Sequence, residues 1–414
     1  MTSTRYLLIG GGLASGEAAK AIRGLDKRGE ITMVSAEKHL PYDRPPLTKE
    51  FMRGEKARDE LYFAGPDAYK ELGVRTLLGV RAEALDVKTK TATLSNREQI
   101  TYEKLLLATG GTPMRLPLPG ADLTGVHYLR TIEDAEGIQA AAKPGARAVL
   151  IGAGFIGVEA AASLTKRGVR VTVIEAAPQL WSRFADKVIA DSFQRYCEKQ
   201  GVTFVTGEQV AEIKGGARVT SVVTRSGREA PCDFVCIAAG IRPNVDLAQA
   251  AGLKVDNGVV VDDHLRTSHP DVYAAGDIAN YPDPIFGHRR RVEHWGQAEY
   301  TGQIAGQNMA GGNAPYDLLT YVWSEVFDLH LEFAGDESQH DRVVVRGRVQ
   351  DNAFTAYYLA GGRMTAYFAV NADKADFPLY ERAIREKRDL SKSIARLQDP
   401  AVNLKVLFRK RPGT

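Results

Sequence analysis

The sequence contains little cysteine, and the cysteines that it has follow no ligand or redox pattern. Three cysteines in 414 residues exclude a disulfide scaffold. No C-x-x-C or C-x4-C pair is present, which argues against a dithiol mechanism, and the spacing of Cys197, Cys232 and Cys236 could hold neither an iron–sulfur cluster nor a zinc ion. We therefore expect three buried, inert thiols.

Long apolar runs and a large excess of either charge are also missing. No apolar run reaches the length that spans a bilayer, so we expect no membrane association. The formal net charge of +3 is too small to indicate nucleic-acid binding. The chain enters a strand by Tyr6, which leaves no room for a signal peptide, and a cytoplasmic location is the expectation.

What the sequence does contain is two glycine-rich loops of the type that binds dinucleotides. The first, residues 10–16 (GGGLASG), follows the apolar run 6–9, and the second, residues 152–157 (GAGFIG), follows the apolar run 148–151. Glycine permits the tight turn and a close approach to a pyrophosphate, while the following helix directs its N-terminal N–H groups and dipole at the anion. Two such loops predict two nucleotide-binding folds and electron transfer between two cofactors.

An acidic residue follows each loop at the distance expected for a ribose contact. Glu175 ends the apolar run 171–174 after the second loop, and Glu37 follows the run 31–36 after the first. A carboxylate at this place accepts hydrogen bonds from a ribose 2′-hydroxyl and repels a 2′-phosphate. Glu175 therefore favours NADH over NADPH, although the nearby Arg183 leaves the preference open.

The order of predicted elements indicates an α/β protein of more than one domain. Helix-like and strand-like runs alternate from Tyr6 to about Ala279, as in parallel sheets. Beyond Tyr316, residues 343–345, 354–358 and 364–370 read as antiparallel strands with a hairpin at 361–362, and a charged helix is predicted from Pro378 to Leu397. Prolines near residue 114 and the segment 240–244 indicate domain boundaries.

Several further segments resemble one family of flavoproteins. The segment 41–50 (PYDRPPLTKE) resembles the FAD-dependent NADH:ferredoxin reductases of oxygenase systems and, as closely, their relative apoptosis-inducing factor. The likeness extends over nearly the whole chain, through the segments 108–113 (ATGGTP), 240–244 (GIRPN), 275–277 (AGD), 292–295 (VEHW) and 322–324 (VWS).

The resemblance implies a glutathione-reductase-like arrangement of two Rossmann-like domains plus a C-terminal α+β domain. The FAD-binding domain would comprise residues 1–113 and 243–315, interrupted by an NADH-binding domain at 114–242. Residues 316–414 would form the third domain and close over the flavin.

The resemblance also implies the residues that hold FAD. Its pyrophosphate, adenosine and ribitol would contact Gly10, Gly12, Leu13, Ala14, Ala36, Glu37, Arg44, Ala82, Arg130 and Asp277. The segment Glu293, His294 and Trp295 precedes a helix whose N-terminus would point at the negatively charged edge of the reduced flavin.

The same resemblance places a charge pair beside the flavin. Lys49 would pair with Glu159 and raise the electron affinity of the ring, with Trp323 near the flavin and the nicotinamide. Ordinary structural roles remain alternatives: a solvated charge for Lys49, a satisfied polar residue for His294 and core packing for Trp323.

The resemblance also implies the residues that bind NADH. They are Gly152, Gly154, Phe155, Ile156, Glu175, Arg183 and Gly240.

These features together predict an oxidoreductase that takes a hydride from NADH onto FAD and passes single electrons to a ferredoxin-type iron–sulfur protein, for an oxygenase. An NADH oxidase or redox-responsive protein like apoptosis-inducing factor is the main alternative, and a disulfide or peroxide reductase is a weaker one. The run 289–291 (RRR) is either a solvated loop or a docking edge for an acidic ferredoxin. A homodimer is left open.

Overall fold

The computed structural model describes residues 2–182 and 185–408, and these group into two compact units. The first unit comprises Met1–Asp43, Arg58–Thr112 and Ile241–Thr320, and the second comprises Arg44–Ala57, Pro113–Gly240 and Tyr321–Thr414. None of the helices in the described ranges is long and apolar enough to cross a membrane.

The described helices and strands follow one another as predicted for an α/β chain. The helices are α1 Leu13–Leu25, α2 Glu50–Arg53, α3 Pro66–Glu71, α4 Ile132–Ala141, α5 Phe155–Lys166, α6 Lys187–Lys199, α7 Asp246–Ala250, α8 Trp295–Met309, α9 Phe377–Arg385, α10 Ile394–Gln398 and α11 Leu404–Leu407. The strands are β1 Thr2–Ile9, β2 Ile31–Ser35, β3 Val74–Leu78, β4 Ala82–Asp86, β5 Thr91–Leu94, β6 Gln99–Leu107, β7 Gly111–Pro113, β8 Val126–Tyr128, β9 Arg147–Ile151, β10 Arg170–Glu175, β11 Thr203–Thr206, β12 Val210–Gly215, β13 Val219–Thr224, β14 Glu229–Pro231, β15 Phe234–Ile237, β16 Ile241–Pro243, β17 Val259–Val260, β18 Val272–Ala274, β19 Ala279–Pro282, β20 Arg289–Arg290, β21 Tyr321–Val326, β22 Leu329–Gly335, β23 Arg342–Arg348, β24 Ala353–Ala360 and β25 Arg363–Val370.

The first unit is built on a sheet whose central strands are parallel. The strand order is β3-β2-β1-β6-β5-β4, and β18 also pairs with β6. Leu7 and Leu8 of β1 are fully buried, because the central strands of a parallel sheet have both faces covered. Helices α1 and α8 pack closely through two glycines: a Cβ on Gly302 or on Gly306 would come within 2.4 or 2.5 Å of a main-chain oxygen of α1.

The second unit contains a second parallel sheet and two antiparallel sheets. The parallel sheet has the order β11-β10-β9-β15-β8. Strands β12, β13 and β14, which lie between β11 and β15 in the sequence, form a small antiparallel sheet. The third sheet is antiparallel with the order β21-β22-β25-β24-β23. Gly361 and Gly362, with φ of 54° and 78°, turn the chain between β24 and β25, as the hairpin prediction required.

The long charged helix predicted from Pro378 to Leu397 is wrong. The structure ends α9 at Arg385 and starts α10 only at Ile394. Between them Lys387 has a φ of 47°, and the Asp389 carboxylate accepts hydrogen bonds from the main-chain N–H and the hydroxyl of Ser391. Such local side-chain bonds compete with helix formation, and this competition is the physical reason for the break.

One segment of the predicted FAD-binding domain groups instead with residues 113–240. The segment Arg44–Ala57 is bound to helix α5 and the residue after it: the Ser163 hydroxyl donates to the Thr48 carbonyl at 2.6 Å, and the Arg167 guanidinium donates to the Met52 carbonyl at 2.7 Å. Lys49 therefore belongs to the second unit. The division into three domains stays a prediction.

Candidate functional site

The first glycine loop connects β1 to α1 in the first unit. Gly10 has a φ of +130°, and a Cβ there would lie 2.0 Å from the Ala108 carbonyl oxygen, so this position accepts only glycine. Helix α1 begins at Leu13, and Gly12 precedes it without any side chain that caps the helix. The loop thus leaves the first N–H groups of α1 to be satisfied by something other than a side chain.

Gly12 is the residue that tests whether the loop fits a phosphate. Its φ of −96° is ordinary for any residue, and a Cβ built there would meet nothing within 4 Å. Neither the backbone conformation nor the packing of the protein therefore requires glycine at this position. A side chain here would occupy the open space in front of the helix. A pyrophosphate bound at the N-terminus of α1 fits that space.

The predicted ribose and adenine residues of FAD lie near the same end of the sheet or on its edge strand. Ala36 and Glu37 follow β2 directly, and Glu37 accepts a hydrogen bond from the Tyr42 hydroxyl at 2.6 Å. Ala82 is the first residue of β4. Leu13 and Ala14 form the first turn of α1.

A second group of predicted FAD residues lies where α8 begins. Asp277 lies in the short 3-10 helix Gly276–Ile278 that follows β18, and His294 is the residue before α8, which has no side-chain cap. The Trp295 indole N–H donates to Asp43 at 2.9 Å. Gln297 is 1 % exposed, and its Nε2 finds no partner among the described residues, which leaves a buried donor at this helix start for a ligand.

In the arginine run, Arg289 is exposed, whereas Arg290 and Arg291 are half-buried. Arg290 and Arg291 expose only 13 % and 11 % of their side chains, and they pair with Asp283 at 3.1 Å and with Glu293 at 2.6 Å. Arg289 donates to the main-chain carbonyl of Val261 at 2.6 Å. These contacts bind the run to neighbouring residues of the first unit, and the docking role of the run stays a prediction.

The second glycine loop connects β9 to α5 in the second unit. Gly152 has a φ of +105° and would bring a Cβ within 2.6 Å of the Ala238 carbonyl oxygen, while a Cβ on Gly157 would lie 2.0 Å from the Gly152 carbonyl oxygen. Gly154 again differs, because its φ is −73° and a Cβ there would meet nothing within 4 Å. The space in front of α5 therefore fits a dinucleotide as the first loop does.

Three of the other residues predicted to contact NADH lie at the start of α5 or just beyond β15. Phe155 and Ile156 form the first turn of α5, and Ile156 is 47 % exposed. Gly240, with a φ of +96°, follows the end of β15, the strand next to β9. Arg183 lies outside the described residues.

Glu175 is the last residue of β10, and its carboxylate also binds the main chain of the second loop. Its Oε2 accepts from the Ala153 N–H at 2.6 Å, and its Oε1 accepts from the Ala177 N–H at 2.8 Å. The carboxylate thus positions the glycine loop even before any ribose arrives. Sequence patterns contain no signal for this second role, because it depends on the pairing of β9 with β10.

Lys49 and Glu159 form a buried ion pair in the second unit. The two charged groups are 2.8 Å apart, and their side chains are 4 % and 6 % exposed. The Lys49 ammonium also lies 5.2 Å from the centre of the Trp323 ring, in a cation–π contact. A solvated Lys49 is therefore wrong, and Trp323, which is 36 % exposed, is not an ordinary core residue.

Two hydroxyl groups that the sequence analysis did not single out complete the environment of Glu159. The Thr48 hydroxyl donates to Oε2 at 2.5 Å, and the Ser324 hydroxyl donates to Oε1 at 2.5 Å. Both lie in segments that carry the family resemblance, 41–50 and 322–324. Membership of these segments is the sequence signal that could have indicated the two hydroxyl groups. Their role as donors to Glu159 appears only when three distant segments meet.

Arg44 and Arg130 are brought together in the same unit. The Arg44 guanidinium donates to the Arg130 main-chain carbonyl at 2.5 Å. Arg130 precedes Thr131, which caps α4 through its hydroxyl. The contact joins the Arg44 side chain to the main chain just before α4, and the phosphate contacts of both arginines stay predictions.

The cysteines are buried and carry no sign of redox chemistry. Burial raises the pKa of Cys232 to about 11 and that of Cys236 to about 12, and it raises the pKa of Cys197 as well. A thiol attacks as its thiolate, so these groups are unreactive near neutral pH. The chain therefore lacks the dithiol that a disulfide reductase needs.

Comparison with known proteins gives the same picture. Residues 4–302 match the family described as "Pyridine nucleotide-disulphide oxidoreductase", and residues 321–408 match "Reductase C-terminal". The chain is 36% identical to "Probable ferredoxin reductase CtmF" of Castellaniella defragrans, over 97% of this chain and 98% of that protein. It is 32% identical to the "Anthranilate 1,2-dioxygenase system ferredoxin--NAD(+) reductase component" of Burkholderia cepacia, over 99% and 100%.

A solved structure is similar over the same extent. The reductase in the covalent putidaredoxin reductase–putidaredoxin complex matches with a TM-score of 0.92 and 30% identity, over 98% of each chain. These matches confirm the predicted fold class and the predicted family resemblance.

Proposed function

Because this chain belongs to the pyridine nucleotide-disulphide oxidoreductase family, as an oxidoreductase that uses FAD and NAD(H), we propose that it is an NADH:ferredoxin reductase of an oxygenase system. One observation carries the proposal: two loops shaped for dinucleotides occur in a chain whose three cysteines are all buried. Electrons from a nicotinamide therefore cannot pass through a pair of thiols. The names of the relatives indicate that a ferredoxin-type protein accepts them one at a time.

In this proposal the first unit holds FAD. Gly12 and the N-terminus of α1 would receive the pyrophosphate, Glu37 a ribose hydroxyl and Asp277 the ribitol, while the uncapped start of α8 would stabilise negative charge on the ring. FAD, when bound, supplies the ability to accept a hydride and to release electrons singly. The Arg44 and Arg130 guanidinium groups would offset phosphate charge.

The second unit in turn would bind NADH at its glycine loop. Gly154 leaves room for the pyrophosphate, and Glu175 is placed beside the loop at the end of β10. Lys49 and Glu159 would be the charge pair that tunes the flavin: the ammonium favours electron uptake, and the carboxylate keeps the ammonium in place. Neither residue needs to transfer a proton for this role.

The test of the proposed function is reduction by NADH followed by reoxidation. We expect purified protein to be yellow, with FAD that acid precipitation releases, and NADH to bleach it rapidly in a stopped-flow instrument. Addition of [2Fe–2S] ferredoxins from oxygenase systems should then reoxidise the flavin much faster than air does. A reduced form that persists in air for minutes, changes its oligomeric state and reduces no ferredoxin would instead support a role like that of apoptosis-inducing factor.

Glu175 should set the preference for NADH. We expect kcat/KM with NADH to exceed that with NADPH at least about tenfold, which corresponds to ~1.4 kcal/mol. Glu175→Ala should narrow this ratio, because it removes the repulsion of the 2′-phosphate, and should also raise KM for NADH, because the Ala153 and Ala177 N–H groups lose their acceptor.

The matched control is Glu229→Ala, which removes a carboxylate of the same unit that accepts from Ser221 on the small antiparallel sheet. It should leave both the ratio and KM unchanged. Equal use of both nucleotides by the unaltered protein would overturn the assignment of Glu175. The cytoplasmic location and the homodimer stay predictions.

A further inference from the structure

The two oxygens of the Glu159 carboxylate have separate partners. Oε2 receives the Lys49 ammonium at 2.8 Å and the Thr48 hydroxyl at 2.5 Å. Oε1 receives the Ser324 hydroxyl at 2.5 Å, and among the described residues no other group donates to it. Oε2 thus binds the segment that contains Thr48 and Lys49, and Oε1 binds strand β21.

Burial makes the Ser324 hydrogen bond hard to replace. Ser324 is 1 % exposed and Glu159 is 5 % exposed, so both partners of this hydrogen bond are buried. A buried carboxylate oxygen that loses its donor keeps its charge without compensation, which costs more than a neutral hydrogen bond is worth. Thr48 cannot compensate, because the single hydrogen of its hydroxyl is already donated to Oε2.

We propose that Ser324 is a positioning residue for electron uptake, which acts by holding the Glu159 carboxylate in the orientation that keeps Lys49 in place. The proposal rests on the proposed role of the Lys49–Glu159 pair toward the flavin. Without the Ser324 hydroxyl, the carboxylate is held through Oε2 alone and its negative charge is less offset. Both changes weaken the favourable effect of the ammonium on a ring that gains negative charge.

The experiment compares Ser324→Ala with Ser324→Thr and Ser192→Ala in the FAD-loaded protein. Ser192 is the matched control, because its buried hydroxyl in the same unit donates to a neutral carbonyl, that of Val349, at 3.1 Å. For Ser324→Ala we expect a lower flavin midpoint potential and a limiting rate of reduction by NADH that falls about tenfold. The dissociation constant for NADH should change less than about twofold, since the loop is untouched.

The conservative and control variants separate positioning from general packing. Ser324→Thr, which retains the hydroxyl, should restore the potential, and Ser192→Ala should leave both potential and rate unchanged. If Ser324→Thr fails to fold, the double variant Ser324→Ala with Glu159→Ala gives the same answer. Once the carboxylate is absent, removal of the Ser324 hydroxyl should produce no further change in potential.

Two failures can be told apart. If Glu159→Ala shifts the potential but Ser324→Ala does not, the inference about Ser324 is overturned while the role of the charge pair stands. If Lys49→Met and Glu159→Ala both leave the potential unchanged, the proposed role of the pair is overturned, and the inference about Ser324 is overturned with it. A further shift by Ser324→Ala in the absence of Glu159 would also overturn the inference, because the serine would then act by another route.

Discussion

Replacing Gly154 with alanine should abolish tight NADH binding and leave the protein folded. The structure has open space at this position and an ordinary φ of −73°, so the Cβ strains neither the backbone nor the packing. Only a ligand that fills the space would meet the methyl group. We expect the dissociation constant for NADH to rise on the order of 100-fold, as overpacking of about 3 kcal/mol implies.

Two further glycines provide the controls for this result. Gly216→Ala also adds a Cβ to open space in the second unit, but far along the chain from the loop, and should change nothing. Gly157→Ala should lower the stability of the protein itself, because its Cβ would lie 2.0 Å from the Gly152 carbonyl oxygen. Calorimetry with NADH and thermal unfolding separate the three cases. Wild-type affinity in Gly154→Ala would show that the dinucleotide binds elsewhere.

The same experiment applies to the first loop. Gly12→Ala should yield folded protein with little FAD, because Gly12 also has open space around its missing side chain. Gly10→Ala should not fold normally, since the φ of +130° and the nearby Ala108 carbonyl both exclude a side chain. The ratio of flavin to protein absorbance measures the outcome, and a full complement of FAD in Gly12→Ala would contradict the assignment of this loop.

Lys49 and Glu159 should behave as a single unit in stability and in flavin reduction. Removal of one partner leaves the other charge buried, as the exposures of 4 % and 6 % show, and costs about 3–5 kcal/mol of unfolding free energy. Lys49→Met and Glu159→Gln should each show such a loss, and the double variant should lose much less than their sum. Lys49→Met should also lower the flavin potential and slow its reduction.

An exposed ion pair in the same unit is the control for the buried one. Lys187 and Asp191 are 2.9 Å apart on α6, with side-chain exposures of 76 % and 35 %. Because solvent screens this pair, Lys187→Met should cost less than about 1 kcal/mol and leave the flavin unaffected. Additive losses for Lys49 and Glu159, together with an unchanged potential, would show that their contact has no functional consequence.

The sequence by itself determined the features that depend on local geometry. Strand, glycine turn and helix follow one another within a few residues, so the two loops at 10–16 and 152–157 could be located, and so could the hairpin at 361–362. The apolar run between Cys232 and Cys236, and the absence of any partner pattern for all three cysteines, predicted buried thiols, and the three are buried. The pairing of Lys49 with Glu159 came from the family resemblance rather than from spacing.

Only the tertiary structure decided which groups surround those features. Glu159 meets Thr48 and Ser324 across 111 and 165 residues of chain, and no pattern in one segment contains that meeting. Likewise Arg290 resembles a surface charge in sequence, yet only 13 % of its side chain is exposed and it pairs with the buried Asp283. Glu175 resembles a ribose ligand, yet it also accepts a hydrogen bond from Ala153 of the glycine loop. Local sequence specifies the conformation of the backbone, whereas the partner of a buried charge depends on which distant segments pack beside it.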